Sequence, residues 1–434
     1  MHILVVSQCY YPEAFRINDI CAEWVKRGHK VTVITSIPNY PEGRFYDGYG
    51  WFKKRVEVVE GVEIHHIPMI SRGHTKLRLI LNYISFVVSG FIWSRTTRIK
   101  PDRVFNFETS PIFQALPAVW FAKRRKIPCD IYVQDLWPEN VQFALGLNNK
   151  AVLGAIDKIV DYVYRNCTSI FATSPSFKKH LEKRQSVYTA KTNESKVKYL
   201  PQYAEDFYEP YLREEDKAFA NALGANNTQA CAKTQKIVKR PADIPCDNNL
   251  KLVFTGNVGQ AQGLEILPKA ASILKKDKGI LVDFIIIGDG RYRSRLEKAI
   301  EEFGVSESFF LLGRKAARDI PTYLAYCDVA FLSFADNEIF KMTIPAKLQS
   351  YMACAKPIIA AAEGETANII REAECGSCVA MGDEKGLADA IESFANMPKQ
   401  DRDRFGDNAR AYVEKHFSKN ELMDELEEYL AIKE

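Results

Sequence analysis

Histidine is scarce in this chain, seven in 434 residues, and none of them forms an H-E-x-x-H pair, so zinc hydrolysis of that type falls away. No G-x-x-x-x-G-K-[ST] occurs, which excludes a P-loop NTPase, and no G-x-S-x-G elbow occurs, which removes the serine hydrolases built on it. No loop carries G-x-G-x-x-G after the first strand with an acid about 20 residues on, which disfavours a dinucleotide cofactor. Net charge is also small, +4, too little for a nucleic-acid partner. The ten cysteines are scattered, mostly in stretches that read as buried strand or helix, the habit of a reducing cytosol. Cys375 and Cys378 make a lone C-x-x-C with no second pair and no nearby histidine, which speaks against zinc or redox chemistry. The chain passes from Met1 directly into HILVVS, so no signal peptide is expected.

What is present is an ordinary globular composition, 47% hydrophobic and 26% charged, in a length that suits two or three domains. Short β-branched runs alternate with amphipathic segments of helix length, the pattern of parallel sheets with crossover helices. It is written twice. HILVVSQ, KVTVITS, VEIHHIP, RVFNFE, IYVQDL, SIFATS and KVKYLP form the first series, and KLVFTGN, LVDFIIIG, FFLLG, DVAFLS, KPIIAAA and GSCVAMG the second. The expectation is therefore an α/β protein of two doubly wound domains, residues 1–203 and 204–417. An irregular insertion spans 205–249, and a last helix within 418–434 returns to the first domain. Ligands of such folds bind outside the carboxyl ends of the strands, so the site is expected in the cleft between the domains.

The stretch 335–359, ADNEIFKMTIPAKLQSYMACAKPII, concentrates the chemistry. A polar loop with Glu338 and Lys341 leads to Pro345 and a helix whose first N–H groups are open to an anion, with Lys341 and Lys347 at its edges. A phosphate or diphosphate is the expected ligand. Arg16 heads the helix after the first strand, where the helix dipole disfavours a cation unless an anion is near. Asp135, in QDLWPEN, reads either as a group that orients or deprotonates an acceptor hydroxyl or as a helix cap. Glu139 carries less weight. The glycine-bearing loops NVGQAQG and GDG let backbone approach a phosphate closely.

In this order, GHKVTVITS, QDLWPE, FTGNVG, IIIGDG, CDVAFLSFA and NARAYVEKHFS resemble the retaining glycosyltransferases of the GT-B fold, family four, over nearly the whole chain. YYPEAFRINDI, SIPNYPEGRFYDGY and TIPAKLQSYMACAKPIIAA are more closely similar to bacterial O-antigen transferases of the N-acetyl-L-fucosamine (WbuB-like) type. The resemblance implies two Rossmann-like domains, with a UDP-linked hexosamine donor on the second and a polyprenyl-diphosphate-linked saccharide acceptor on the first. It also implies no metal and no cofactor beyond the donor, since cationic side chains and a helix N-terminus stabilise the leaving diphosphate. The one D-x-D, Asp401 and Asp403, lies in a charged helical segment and suits that expectation. The donor-binding set so implied comprises Gly256, Asn257 and Gln262, Gly288 and Gly290, Arg314 near the base, and Lys341, Ile344, Pro345, Lys347 and Ser350 about the helix start.

Departures from the family matter as much. Asn257 and Gln262 stand where many members have Arg and Lys, which leaves Arg16, Lys341 and Lys347 to supply positive charge. The family's two glutamates, eight apart, fall on Met342 and Ser350. Glu338 either takes over the sugar contact, as a catalytic group beside Asp135, or is a solvated loop carboxylate. Ala355 replaces the usual Gly, so a left-handed turn there carries roughly 1 kcal/mol. Residues 79–94 are uncharged, apolar around most of the helix and flanked by Arg78, Arg95 and Arg98, while 72–126 hold eleven Lys and Arg against Asp102 and Glu108. The stretch is either a buried crossover helix or an interfacial helix on an anionic membrane, the cytoplasmic inner face of the plasma membrane. Rival readings are another GT-B chemistry, such as a nucleotide-sugar epimerase, and a non-catalytic nucleotide-sugar-binding protein. No nucleic-acid partner is expected.

Overall fold

In this computed structural model the described residues are 1–73, 75–141, 146, 149–186, 195–216 and 236–431. They divide into two compact units, Met1–Pro201 with Leu422–Glu434, and Gln202–Glu421. The first unit is built on an eight-stranded sheet. Its strands are β1 (His2–Val6), β2 (Lys30–Ser36), β3 (Val56–Val59), β4 (Val62–Ile67), β5 (Arg103–Glu108), β6 (Cys129–Val133), β7 (Ser169–Ala172) and β8 (Val197–Tyr199), in the order β3-β4-β2-β1-β5-β6-β7-β8. Only the β3–β4 pair is antiparallel. It is a hairpin closed by Glu60 and Gly61, both at positive φ, the backbone that matches the twist of two paired strands. β1, β5 and β6 are buried along nearly their whole length because helices cover both faces of the sheet. Trp24, from the helix Arg16–Lys26, meets Phe105 of β5 edge-on at 5.2 Å.

At the opposite edge of the strands Arg103, at the start of β5, grips the buried Asp130 of β6 through two nitrogens and donates from Nη1 to the carbonyl of Leu430 at 2.8 Å. A buried Arg–carboxylate pair is tolerated where its remaining donors are also used, as here. The end of the C-terminal helix Lys419–Tyr429 is thereby tied to this sheet, and Tyr429 adds a ring contact to Phe171 at 5.8 Å.

The second unit opens with a short strand pair. β9 (Leu212–Arg213) and β10 (Ile237–Val238) pair in parallel, and the Tyr326 hydroxyl donates to the Val238 carbonyl at 2.9 Å while Arg213 Nε donates to the Ala325 carbonyl at 2.7 Å. The described parts of the stretch read as irregular, 205–216 and 236–249, thus include a strand pair docked on Tyr326 and Ala325. The main sheet is parallel throughout: β11 (Leu250–Thr255), β12 (Val282–Ile287), β13 (Phe309–Gly313), β14 (Val329–Ser333), β15 (Ile358–Ala361) and β16 (Gly376–Val379), in the order β13-β12-β11-β14-β15-β16. Its core runs through Leu252, Phe254, Phe284, Ile286, Phe331 and Leu387. In each unit one strand begins the winding and has later strands on either side, β1 between β2 and β5, and β11 between β12 and β14. Loops leaving those neighbours diverge and open a crevice at the carboxyl ends.

Candidate functional site

In the second unit the loops after β11 and β14 border the crevice. They are joined where Ala335 N donates to the Ala261 carbonyl at 2.9 Å. The loop after β12 packs on the loop after β11 without any gap: a Cβ on Gly288 would stand 1.8 Å from the Gly256 carbonyl oxygen, and one on Gly290 would stand 2.2 Å from that of Val258. These two glycines are thus required by backbone packing, before any ligand is considered. Gln262 Oε1 accepts from Gly259 N at 3.1 Å and closes its own turn, and Asn257 Oδ1 lies against Gly290.

The helix Ala346–Ala353 starts one residue later than expected, with Pro345 as its N-cap at φ −77° and ψ 137°. Pro345 therefore precedes the first helical position, because its extended ψ sets the entry into the helix while its missing N–H costs nothing there. Lys347 points along the loop after β11. Its Nζ lies 4.0 Å from the Phe254 ring centroid and 3.6 Å from where a Gly256 Cβ would stand. Among the described residues it has no carboxylate partner, and burial alone pulls its ammonium down to about 7. One turn on, the Tyr351 hydroxyl accepts from Thr255 N at 2.8 Å and meets Thr255 Oγ1 at 3.1 Å, holding the end of β11 against this helix. A half-buried cation over an aromatic face lies beside a glycine and the N–H groups of Ala346 and Lys347, while Leu348 N donates to the Pro345 carbonyl at 2.8 Å, and such an arrangement can accept an anion.

The other expected residues fall around this centre with different roles. The polar loop at Glu338 is a single helical turn, Glu338–Lys341, capped by Asn337, whose side chain accepts from Ile339 N at 3.0 Å. Glu338 is 84% exposed and pairs with Lys341 at 2.7 Å. Lys341 also faces Glu363 at 3.7 Å, and these carboxylates, Glu338 first, hold its ammonium above the usual range. Its charge is largely answered by protein. The buried Ser350 donates its hydroxyl back to the Ala346 carbonyl at 3.2 Å, Ile344 is buried beneath the turn, and Arg314 is exposed beyond β13. Ala355 adopts φ +52°, the left-handed conformation anticipated for that position.

In the first unit Asp135 follows β6 and is half-buried. Its Oδ2 accepts from Ser110 N at 3.0 Å and from Ser110 Oγ at 2.6 Å, and the Trp137 indole N–H donates to the same Oγ at 3.1 Å. Asp135 therefore ties the loop after β6 to the loop after β5, and burial pushes its carboxyl up despite the Ser110 bonds. Beside it the carboxyl of the wholly buried Glu108, the last residue of β5, has no side-chain hydrogen-bond partner among the described residues. Burial first, and then the Asp135 charge, push its carboxyl well up, with the backbone N–H groups of Asp135 and Gln134 offsetting part. Arg16 is buried at the head of its helix. Glu13, which sequence reasoning passed over, accepts from Asn39 N at 2.7 Å and Tyr40 N at 2.6 Å and joins the loops after β1 and β2. Its carboxyl is raised to about 7 by burial. The only signals for Glu13 and Glu108 were a charge in an aromatic loop and a charge closing an apolar strand.

The helix Lys76–Thr96 has 21 residues and is long and apolar enough, by length and composition, to cross a membrane. One face packs on the unit through Leu79, Asn82, Phe86, Gly90 and Ser94. The opposite face exposes Leu77, Ile80, Leu81, Ile84, Val88 and Ile92. It is thus neither a wholly buried crossover nor polar outside.

Two sequence models match the chain, "Glycosyl transferase 4-like domain" over residues 14–192 and "Glycosyl transferases group 1" over 239–412. The colanic acid biosynthesis glycosyl transferase WcaI of Escherichia coli is 27% identical over 380 residues, 84% of either chain. Among solved structures, sucrose-phosphate synthase from Thermosynechococcus elongatus superposes with a TM-score of 0.70 at 13% identity, over 99% of this chain and 98% of that one. HepE of Anabaena, solved with UDP and glucose, gives 0.67 at 16% identity, over 99% of both chains. With two Rossmann-like sheets and both halves matched by transferase models, the chain belongs to the GT-B glycosyltransferases of the family-four-like type.

Proposed function

We propose that the enzyme is a retaining, metal-independent glycosyltransferase that moves a hexosamine, N-acetyl-L-fucosamine in the reading favoured by the sequence, from a UDP-linked donor to a polyprenyl-diphosphate-linked saccharide. It would act in surface polysaccharide assembly, O-antigen included, at the cytoplasmic face of the plasma membrane. The observation that carries the donor half is Lys347, an ammonium beside the loop after β11 that has no carboxylate partner among the described residues. A diphosphate there would supply the missing counter-charge, and the leaving UDP would draw on the same cation and on the helix N–H groups without a metal. UDP is favoured because HepE was solved with it, and polysaccharide assembly because WcaI is named for colanic acid. The exposed apolar helix Lys76–Thr96, with Lys76, Arg78 and Arg95 at its ends, supports the membrane and the lipid acceptor. A calorimetric screen of nucleotide sugars tests the donor: UDP-hexosamines are expected to bind, and binding confined to guanosine or thymidine diphosphate sugars would refute UDP.

A further inference from the structure

Residues Gly50 to Lys53 form a tight turn, closed by Lys53 N donating to the Gly50 carbonyl at 3.2 Å, whose two central residues are Trp51 and Phe52. Such positions ordinarily hold Gly, Pro, Asn or Asp, because they face water. Here Phe52 is 92% exposed and Trp51 48% exposed. The tip is held from inside: the Trp51 indole N–H donates to the Met69 carbonyl at 3.2 Å, and Arg55 Nη1 donates to the Trp51 carbonyl at 3.0 Å. The helix Lys76–Thr96 grips the next residue of the same segment, Asn82 Nδ2 donating to the Ile70 carbonyl at 2.7 Å and Ser85 Oγ accepting from Ile70 N at 3.0 Å. The aromatic tip and the apolar helix are therefore neighbours in one unit, fixed to consecutive residues. Lys53, Lys54 and Arg55 follow the tip and 64–101 contain no Asp or Glu, while one exposed acid, Asp47, stands three residues before the turn. Lys54 is answered by Glu57, at 3.0 Å, while Lys53 is exposed.

We propose that the Trp51–Phe52 turn is a second membrane anchor, seating in an anionic bilayer surface beside the helix Lys76–Thr96. This rests on the membrane reading above and adds a second point of contact, which would fix the rotation of the unit about the helix. A pinned Trp with an exposed Phe suits the headgroup boundary, where apolar rings gain burial and an indole keeps its polar partner. The run Lys53 to Arg55 and the acid-free stretch 64–101 favour lipid phosphate over a second copy of this chain, whose like-charged face would repel.

The test is flotation with vesicles of phosphatidylglycerol and phosphatidylethanolamine at low salt, for the wild type, Phe52→Ser, Phe52→Trp and an Ile84→Ser/Val88→Ser helix variant. Phe52→Ser should bind about tenfold more weakly, the scale of partly burying one Phe, with unchanged thermal stability. Phe52→Trp should float as the wild type does, with added tryptophan emission that brominated lipid quenches. If the wild type floats and the helix variant does not, while Phe52→Ser floats fully, the second anchor is overturned and the membrane reading stands. If the wild type ignores the vesicles, both fall. Lipid-free dimers lost in Phe52→Ser would overturn the anchor in favour of self-association.

Discussion

Replacing Lys347 with Met keeps most of the side-chain volume and removes the charge, which separates what the ammonium does for a ligand from what it costs the fold. Its depression from 10.5 to about 7 bounds that cost near 5 kcal/mol at about 1.36 kcal/mol per unit. Residual solvent access and the Phe254 face reduce the realistic figure to about 1–3 kcal/mol. The sign follows from the proton count. Between pH 7 and 10.5 the unfolded chain holds a proton at Lys347 that the folded chain has released, so wild-type stability rises with pH across that window. Lys347→Met should therefore be the more stable protein by about 1–3 kcal/mol below pH 7, with the gap closing toward pH 10. A nucleoside diphosphate restores the counter-charge, and losing a hydrogen bond to a charged group costs about 1.5–3 kcal/mol, so UDP affinity should fall about 10- to 150-fold. Urea denaturation across pH and titration calorimetry read the two effects separately. Equal UDP affinity in both proteins, or a Met variant less stable at pH 6, would refute the reasoning.

Other substitutions probe neighbouring features. Ala355→Gly relieves a left-handed residue at φ +52° and should add about 0.5–1 kcal/mol of stability, read as a raised urea midpoint; a lowered midpoint counts against the strain. Gly288→Ala puts a Cβ into the Gly256 carbonyl at φ +144° and should cost about 2 kcal/mol or more together with donor affinity; an unperturbed melting curve would contradict the packing. Glu13, raised to about 7, holds a proton in the fold that the unfolded chain loses near 4.5, so its contribution to stability falls as pH rises through that window. Glu13→Gln retains an acceptor for Asn39 N and Tyr40 N without the charge, and should flatten the slope between about pH 4.5 and 7 in urea titrations; an unaltered slope assigns it elsewhere. EDTA should leave turnover nearly intact, and a hundredfold loss restored by magnesium or manganese would overturn the metal-free proposal.

The two sheets were legible because buried parallel strands announce themselves as β-branched runs, and KLVFTGN or IIIGDG carries its turn signal at the end. β3 was not, since VEVV is short and edge-placed, and its one turn signal is Glu60-Gly61. At the site, position along the chain found Lys347 and the left-handed Ala355. It could not show that Lys341 is answered by Glu338 and Glu363 while Lys347 is not, because Glu363 lies 22 residues from Lys341 and the Phe254 ring 93 from Lys347. The Asp135 tether is similar: its donors sit on Ser110, 25 residues earlier, so no local pattern separated an orienting carboxylate from a helix cap. Glu108 and Glu13 were overlooked because a buried carboxylate is rare enough to be read as surface by default.

The most direct test of the central claim is transfer itself. Purified enzyme is given radiolabelled UDP-hexosamines and a lipid extract carrying polyprenyl-diphosphate-linked saccharides, and label is counted in the organic phase. The account predicts label in lipid, equimolar UDP release, retention of the donor's anomeric configuration, and loss of at least tenfold in Lys347→Ala. A protein that binds donor yet transfers no label, or a product of inverted configuration, would contradict it.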